Sequence, residues 1–232
     1  MYSVSSFSGP INGPASVIPS PAGSATHALI CLHGFGSSGD DLIALAAPLR
    51  ATLGNVGESL AVYSPHAPSP TPDGYGRQWF RDAGWTFRDE NGLQRITPQL
   101  DDFIAQVAAA HGIPSTNIAL LGFSQGAMTL LHALPLLTNK PAAVISCCGA
   151  LTVPPVFPPV PRPVPILFVH GQDDDVLPAD ASVQAQTVYQ QHNYPTQLHI
   201  LPGLGHGIDG PSLAHISLFL QALWNTPDNQ AA

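Results

Sequence analysis

The stretch LGFSQGAM, residues 121–128, sets Ser124 between Gly122 and Gly126, directly after the apolar run Ile118, Ala119, Leu120, Leu121. With 21 Gly in 232 residues, a chance Gly-x-Ser-x-Gly is expected about 0.15 times, so the setting has to carry the argument. Here the pattern closes a strand-like run and opens a helix-like one, QGAMTLLHALPLL. A strand-to-helix turn that tight leaves no room for a side chain at either glycine. The helix N-terminus then directs NH groups and the positive end of its dipole at the serine. A serine hydroxyl is a poor nucleophile until a base takes its proton, so acyl-transfer chemistry also demands a histidine and an acid. The alternative is an inert serine in a glycine-tolerant turn.

For such a turn the partners follow in the chain order serine, acid, histidine, in loops at the carboxyl ends of later strands. PILFVHG runs into QDDDVLP, which offers Asp173, Asp174 and Asp175 in one such loop, and spacing does not choose among them. TQLHILPG runs into LGHGIDG and places His206 in the loop of the next strand. Of the other histidines, His170 ends a strand and is expected to pack or hydrogen-bond locally, His199 sits inside a strand, His132 and His215 lie on helices, and His27, His66, His111 and His192 belong to turns or the surface. Upstream, LHGFGSSGDD (residues 32–41) supplies what the turn lacks. An oxyanion formed at Ser124 would be held by the NH of Gln125 and by a second NH from this loop, at Phe35 between Gly34 and Gly36. The loop has neither the Lys-Ser/Thr ending nor the GxGxxG spacing of a phosphate site. HExxH and paired-cysteine patterns are lacking too, so neither a metal nor another cofactor is expected.

These residues need a frame. Short apolar runs at 28–32, 60–63, 118–121, 142–147, 166–169 and 197–201 have the length and flanks of strands buried on both faces. Helical periodicity runs over 40–53, over 98–111 with Thr97 as N-cap and Pro98 at the first position, and over 180–191 and 212–224. Alternation of the two predicts an α/β fold with a mostly parallel sheet and helices on both faces. At 232 residues and 44% hydrophobic content, one domain is expected, without room for a large cap. Residues 1–25 are expected to be edge strands or a flexible segment, and 226–232 a flexible tail. The proline-rich VPPVFPPVPRPVP, residues 153–165, reads as a stiff connection that could wall a substrate groove. Its PxxP spacing also suits a polyproline-binding partner.

A formal net charge of -8 excludes nucleic acid as a natural partner, because phosphate contacts need a basic patch. The N-terminal residues lack a positive leader and a continuous apolar stretch, and no window approaches a membrane span, so a cytoplasmic location is expected. Cys31, Cys147 and Cys148 lie in apolar runs and read as buried reduced thiols.

Five blocks, LHGFGSSGDD, QWF (78–80), GFSQGA, HGQDDDVLP and GLGHGI, resemble in content and order those of the phospholipase/carboxylesterase group of α/β-hydrolases, which includes the acyl-protein thioesterases. The resemblance spans residues 28–207 and implies an α/β-hydrolase fold. Laying the family's HGxxDxxVP on HGQDDDVLP selects Asp174. The resemblance likewise implies Ser124 as nucleophile, His206 as base and then acid, Phe35 and Gln125 as oxyanion donors, and Trp79 as a substrate-binding residue near the mouth. The sequence departs from the pattern in having Leu177 where Val is usual and Phe35 where Leu is common. The implied substrate is a small ester of short to medium acyl chain, or a thioester or lysophospholipid on the same triad. The mildly apolar composition is compatible with a monomer or a homodimer. Rival readings are an amide hydrolase on the same scaffold and a binding protein that keeps the fold with a silent triad.

Overall fold

The structure, a computed structural model, describes residues 3–5, 7, 11, 15–17, 25–81, 88–159 and 161–224. The expected tail at 226–232 lies outside the described residues, as does much of 1–25. The strands are β1 (Ser3–Ser5), β2 (Ala15–Val17), β3 (His27–Leu32), β4 (Leu60–Tyr63), β5 (Ser69–Pro70), β6 (Arg77–Gln78), β7 (Ile118–Phe123), β8 (Ala143–Cys147), β9 (Ile166–Gly171) and β10 (Thr196–Leu201). The α-helices are α1 (Gly39–Leu42), α2 (Ala46–Thr52), α3 (Gly54–Glu58), α4 (Glu90–His111), α5 (Gln125–Ala133), α6 (Asp180–Gln191) and α7 (Gly210–Trp224).

Six strands form one sheet in the order β10-β9-β8-β7-β3-β4, every neighbouring pair parallel. This is the α/β-hydrolase architecture that the blocks imply. Alternate residues feed two cores on opposite faces of the sheet. Ala28, Ile30 and Leu32 point into one with Leu93, Phe103, Leu130 and Tyr189; Leu29 and Cys31 point into the other with Leu49, Ile216 and Phe219. From β3 the chain first adds β4 on one side, then crosses to β7 on the other. The crevice between β3 and β7 is therefore the topological switch point, where the loops leaving the two strands diverge.

Two helix expectations need correction. Thr97 is not an N-cap: α4 begins seven residues earlier, at Glu90, where the Asp89 carboxylate accepts from the NH of Gly92. Thr97 instead lies inside α4, buried, its hydroxyl donating to the carbonyl of Leu93. Packing of Leu93 and Ile96 against the core carries the helix through Pro98. The single helix expected over 40–53 is α1, a 3-10 turn at Ile43–Leu45, and α2. The break places Pro48 in the first turn of α2, where its missing NH costs nothing.

β1 and β2 pair antiparallel as a separate two-stranded sheet. Phe7 packs on Tyr63 of β4 and on Phe103, with ring centroids 5.5 and 5.4 Å away. In the proline-rich connection Phe157 stacks on His192 at 3.8 Å and meets the edges of Tyr189 and Tyr194, which ties the segment to the end of α6. All three cysteines are buried and free. Among the described residues no helix is long and apolar enough to cross a membrane.

Candidate active site

Ser124 stands between β7 and α5 with φ 51° and ψ -117°, a left-handed backbone that a non-glycine residue adopts only at a cost. The two flanking glycines make the turn sterically attainable. A Cβ on Gly122 would lie 2.5 Å from the Ala127 nitrogen, and one on Gly126 only 2.1 Å from the Leu32 carbonyl oxygen. The Ser124 NH donates to the carbonyl of Cys147 at 2.9 Å, and its hydroxyl makes no capping bond to α5. Gln125 is the first residue of α5, so its NH has no partner within the helix.

The loop after β3, the candidate donor loop, comes close: a Cβ on Gly34 would sit 3.5 Å from Cβ of Ser124 and 3.1 Å from the Phe123 ring. Phe35 follows, half-buried. Backbone bonds pin this loop to β6, from Gly36 NH to Arg77 O (2.9 Å) and from Arg77 NH to Ser37 O (3.0 Å). Trp79 is buried, its indole NH donating to the carbonyl of His33 at 2.8 Å. It also lines, with Phe80, Arg81 and Ile96, a cavity of about 150 Å³. The Gln125 side chain, fully buried, accepts from the Trp79 NH at 2.9 Å and donates to the Phe80 carbonyl at 3.0 Å. The QWF segment thus ties the donor loop to the start of α5, through a side-chain role of Gln125 that the sequence did not disclose. His33 is buried as well: Nδ1 bonds the Gly34 carbonyl and Nε2 accepts from the Ala67 NH.

Asp174 and His206 meet across the loops that follow β9 and β10, with His206 Nδ1 2.7 Å from Asp174 Oδ2. Oδ1 of Asp174 accepts from the NH groups of Val176 (3.0 Å) and Leu177 (2.8 Å). Burial pushes the Asp174 carboxyl upward. The bond from Leu177, the bond and charge of His206 and the bond from Val176 outweigh it and hold the group below its ordinary value. Asp173 and Asp175 are exposed. The His206 ring lies against Phe123, the residue before Ser124, at 4.9 Å between centroids. The structure therefore joins the acid to the histidine and sets the histidine against the serine turn. A Ser124 Oγ to His206 Nε2 link is not among its hydrogen bonds.

Two side chains that sequence reasoning kept outside the site also reach this corner. Cys148, at φ 48°, bonds the Gly207 carbonyl through Sγ at 3.5 Å, and His170 Nε2 lies 3.1 Å from Asp174 Oδ2. The ligand-capable atoms of Cys148, His170 and Asp174 fall within 4.8 Å of one another. Each already has a hydrogen-bond partner, and burial pushes the Cys148 thiol up to about 11, so the group reads as a hydrogen-bond network and not a metal cage.

Residues 14–224 match the phospholipase/carboxylesterase family along their whole length. The chain belongs to that family. Within it, the chain is 30% identical over 225 residues to acyl-protein thioesterase 1 of Schizosaccharomyces pombe, covering 91% of this chain and 97% of that protein. It is 28% identical over 207 residues to the esterase YpfH of Escherichia coli, covering 85% and 83%. Among solved structures it superposes on esterase PE8 with a TM-score of 0.78 at 30% identity, over 94% of this chain and all of that one. As a phospholipase/carboxylesterase family member it is a hydrolase of the esterase/thioesterase class.

Proposed function

We propose that the protein is a serine carboxylesterase that cleaves small carboxylic esters of short to medium acyl chain through an acyl-serine intermediate. The observation that carries the reading is the 2.7 Å bond between Asp174 and His206, formed beside a serine on a strained turn. His206 takes the proton of Ser124 through Nε2, and the serine oxygen attacks the ester carbonyl. The backbone NH groups of Gln125 and Phe35 hold the tetrahedral anion, each worth about 3 kcal/mol of transition-state stabilisation. His206 passes its proton to the leaving alcohol, and water, activated by the same ring, releases the acid. Asp174 keeps the proton on Nδ1, so that Nε2 is free to act as base. Trp79, tied to His33, acts through the position of the donor loop more than by contact with substrate.

A thioester substrate is the second reading, favoured by the similarity to an acyl-protein thioesterase. The test is hydrolysis of matched oxygen-ester and thioester series of increasing acyl length by wild type and Ser124→Ala. Loss of both activities in the variant, with oxygen esters of short to medium chain preferred by wild type, is the expected outcome. Equal rates in the two proteins would exclude Ser124 as nucleophile, and a thioester preference would transfer the assignment to the second reading.

A further inference from the structure

We infer that His170 is a positioning residue for the acid of the proposed triad: it donates to the same Asp174 oxygen that holds His206, and so sets both the orientation of that carboxylate and its grip on the base. The inference rests on the triad reading above.

His170 is fully buried in β9, four residues before Asp174. Its Nε2 faces two acceptors, the Leu177 carbonyl at 2.9 Å and Asp174 Oδ2 at 3.1 Å. A carbonyl oxygen cannot donate, so Nε2 must carry the proton and share it between them. At the other end of the ring, Nδ1 lies 2.7 Å from Ser182 Oγ on α6, which is itself 3.1 Å from the Gly149 carbonyl. Either the hydroxyl donates to Gly149 and accepts from Nδ1–H, or it turns its proton to Nδ1. The first choice gives a doubly protonated ring and the second a neutral one. In both, Nε2–H is directed at Asp174.

Asp174 Oδ2 thus divides its accepting capacity between two histidines. Among the described residues the other ionisable group clustered with them is the Cys148 thiol, just after β8, kept protonated by burial; Asp173 and Asp175 are turned to solvent. Without the His170 donor, Oδ2 would hold the protonated form of His206 more strongly, and its free base would appear only at higher pH. The carboxylate itself, buried and short of a donor, would also protonate more readily. Both effects move the acid limb of the kcat/KM profile upward. A residue that merely filled space would lower turnover and leave the limb in place.

The experiment compares His170→Asn and His170→Gln. The Asn amide reaches the position of Nδ1, near Ser182, but not Asp174; the longer Gln amide can present an NH where Nε2 stood. Asn is expected to lower kcat by about tenfold to a hundredfold and raise the acid limb by about half a pH unit or more, with Gln moving both back toward wild type. Limb position does not depend on the fraction of active protein. An Asn limb superimposable on wild type overturns the inference. If the Asn variant does not fold, nitrogen NMR of histidine-labelled wild type decides: a protonated His170 Nε2 across the working range supports the role, and a bare Nε2 overturns it. Ser124→Ala is run alongside. Surviving activity there removes the triad reading itself, whereas a dead Ser124→Ala with an unmoved His170→Asn limb removes only His170.

Discussion

Three aspartates in a row pose a question that residue chemistry alone leaves open, since all three have the same acidity in water. Burial separates them: Asp174 is enclosed and accepts from two backbone NH groups and two histidines, while its neighbours are exposed. Asp174→Asn should therefore reduce kcat by about 10⁴, because an amide can present an NH to His206 Nδ1 and favour the wrong tautomer. Asp173→Asn and Asp175→Asn should leave turnover close to wild type. Steady-state kinetics normalised by active-site titration measures this, and a crippled Asp173→Asn would mean that the acid is the wrong aspartate. As candidates, Ser124 and His206 follow from residue type, spacing and chain order. The choice of Asp174 came only from the family block, because alternation along a loop does not report which side chain turns inward. For His170 a local packing or hydrogen-bonding role was legible, but its partner was not, since a histidine ending a strand gives no sign of which loop group folds back onto it.

Strands are where the sequence was most readable: all six runs reappear in the main sheet with ends shifted by no more than two residues. Five of them are buried on both faces, as continuous apolarity marks; the sixth, β10, is instead an edge strand whose residues are half-buried or exposed, as Gln197 and His199 within it allow. Helix starts were less so. A proline at 98 preceded by threonine imitates a helix beginning, and only the core contacts of Leu93 and Ile96 reveal that α4 starts earlier. The link between β6 and α5 was invisible, since it depends on one buried amide making two backbone bonds. Gln125→Ala strands the Trp79 NH and the Phe80 carbonyl together. At about 1–3 kcal/mol for each buried orphan, and about 2–4 °C per kcal/mol for a chain of this size, the melting temperature should fall by roughly 5–20 °C. If the amide also sets the oxyanion donors, kcat/KM measured well below the transition should drop too. An unchanged melting curve would show that the loop is held by other contacts.

For the whole molecule, the sheet order brings the loops of the proposed site to one end. The donor loop leaves β3, the serine turn leaves the adjacent β7, and the acid and histidine loops leave β9 and β10, so all four lie at the carboxyl edge. Building that edge requires burying His33 beneath the donor loop. Burial lowers its pKa from 6.5 to about 4, and its Nε2 lone pair is already committed to the Ala67 NH. Between those two pH values the unfolded chain holds a proton that the folded chain lacks, so stability falls as pH drops through the window. The full difference amounts to about 3 kcal/mol. His27, His111 and His199, also lowered by burial, act with the same sign. Asp174 extends the loss to lower pH, because its depressed carboxyl stabilises the fold only while ionised. Denaturant unfolding from about pH 7 to about pH 4.5 should show this decline. His33→Gln should be less stable at neutral pH yet lose less on acidification, so that the two stability curves converge. Parallel curves would mean that His33 is protonated in the folded protein at the same pH as in the unfolded chain, and that the buried edge draws its acid sensitivity from the remaining histidines.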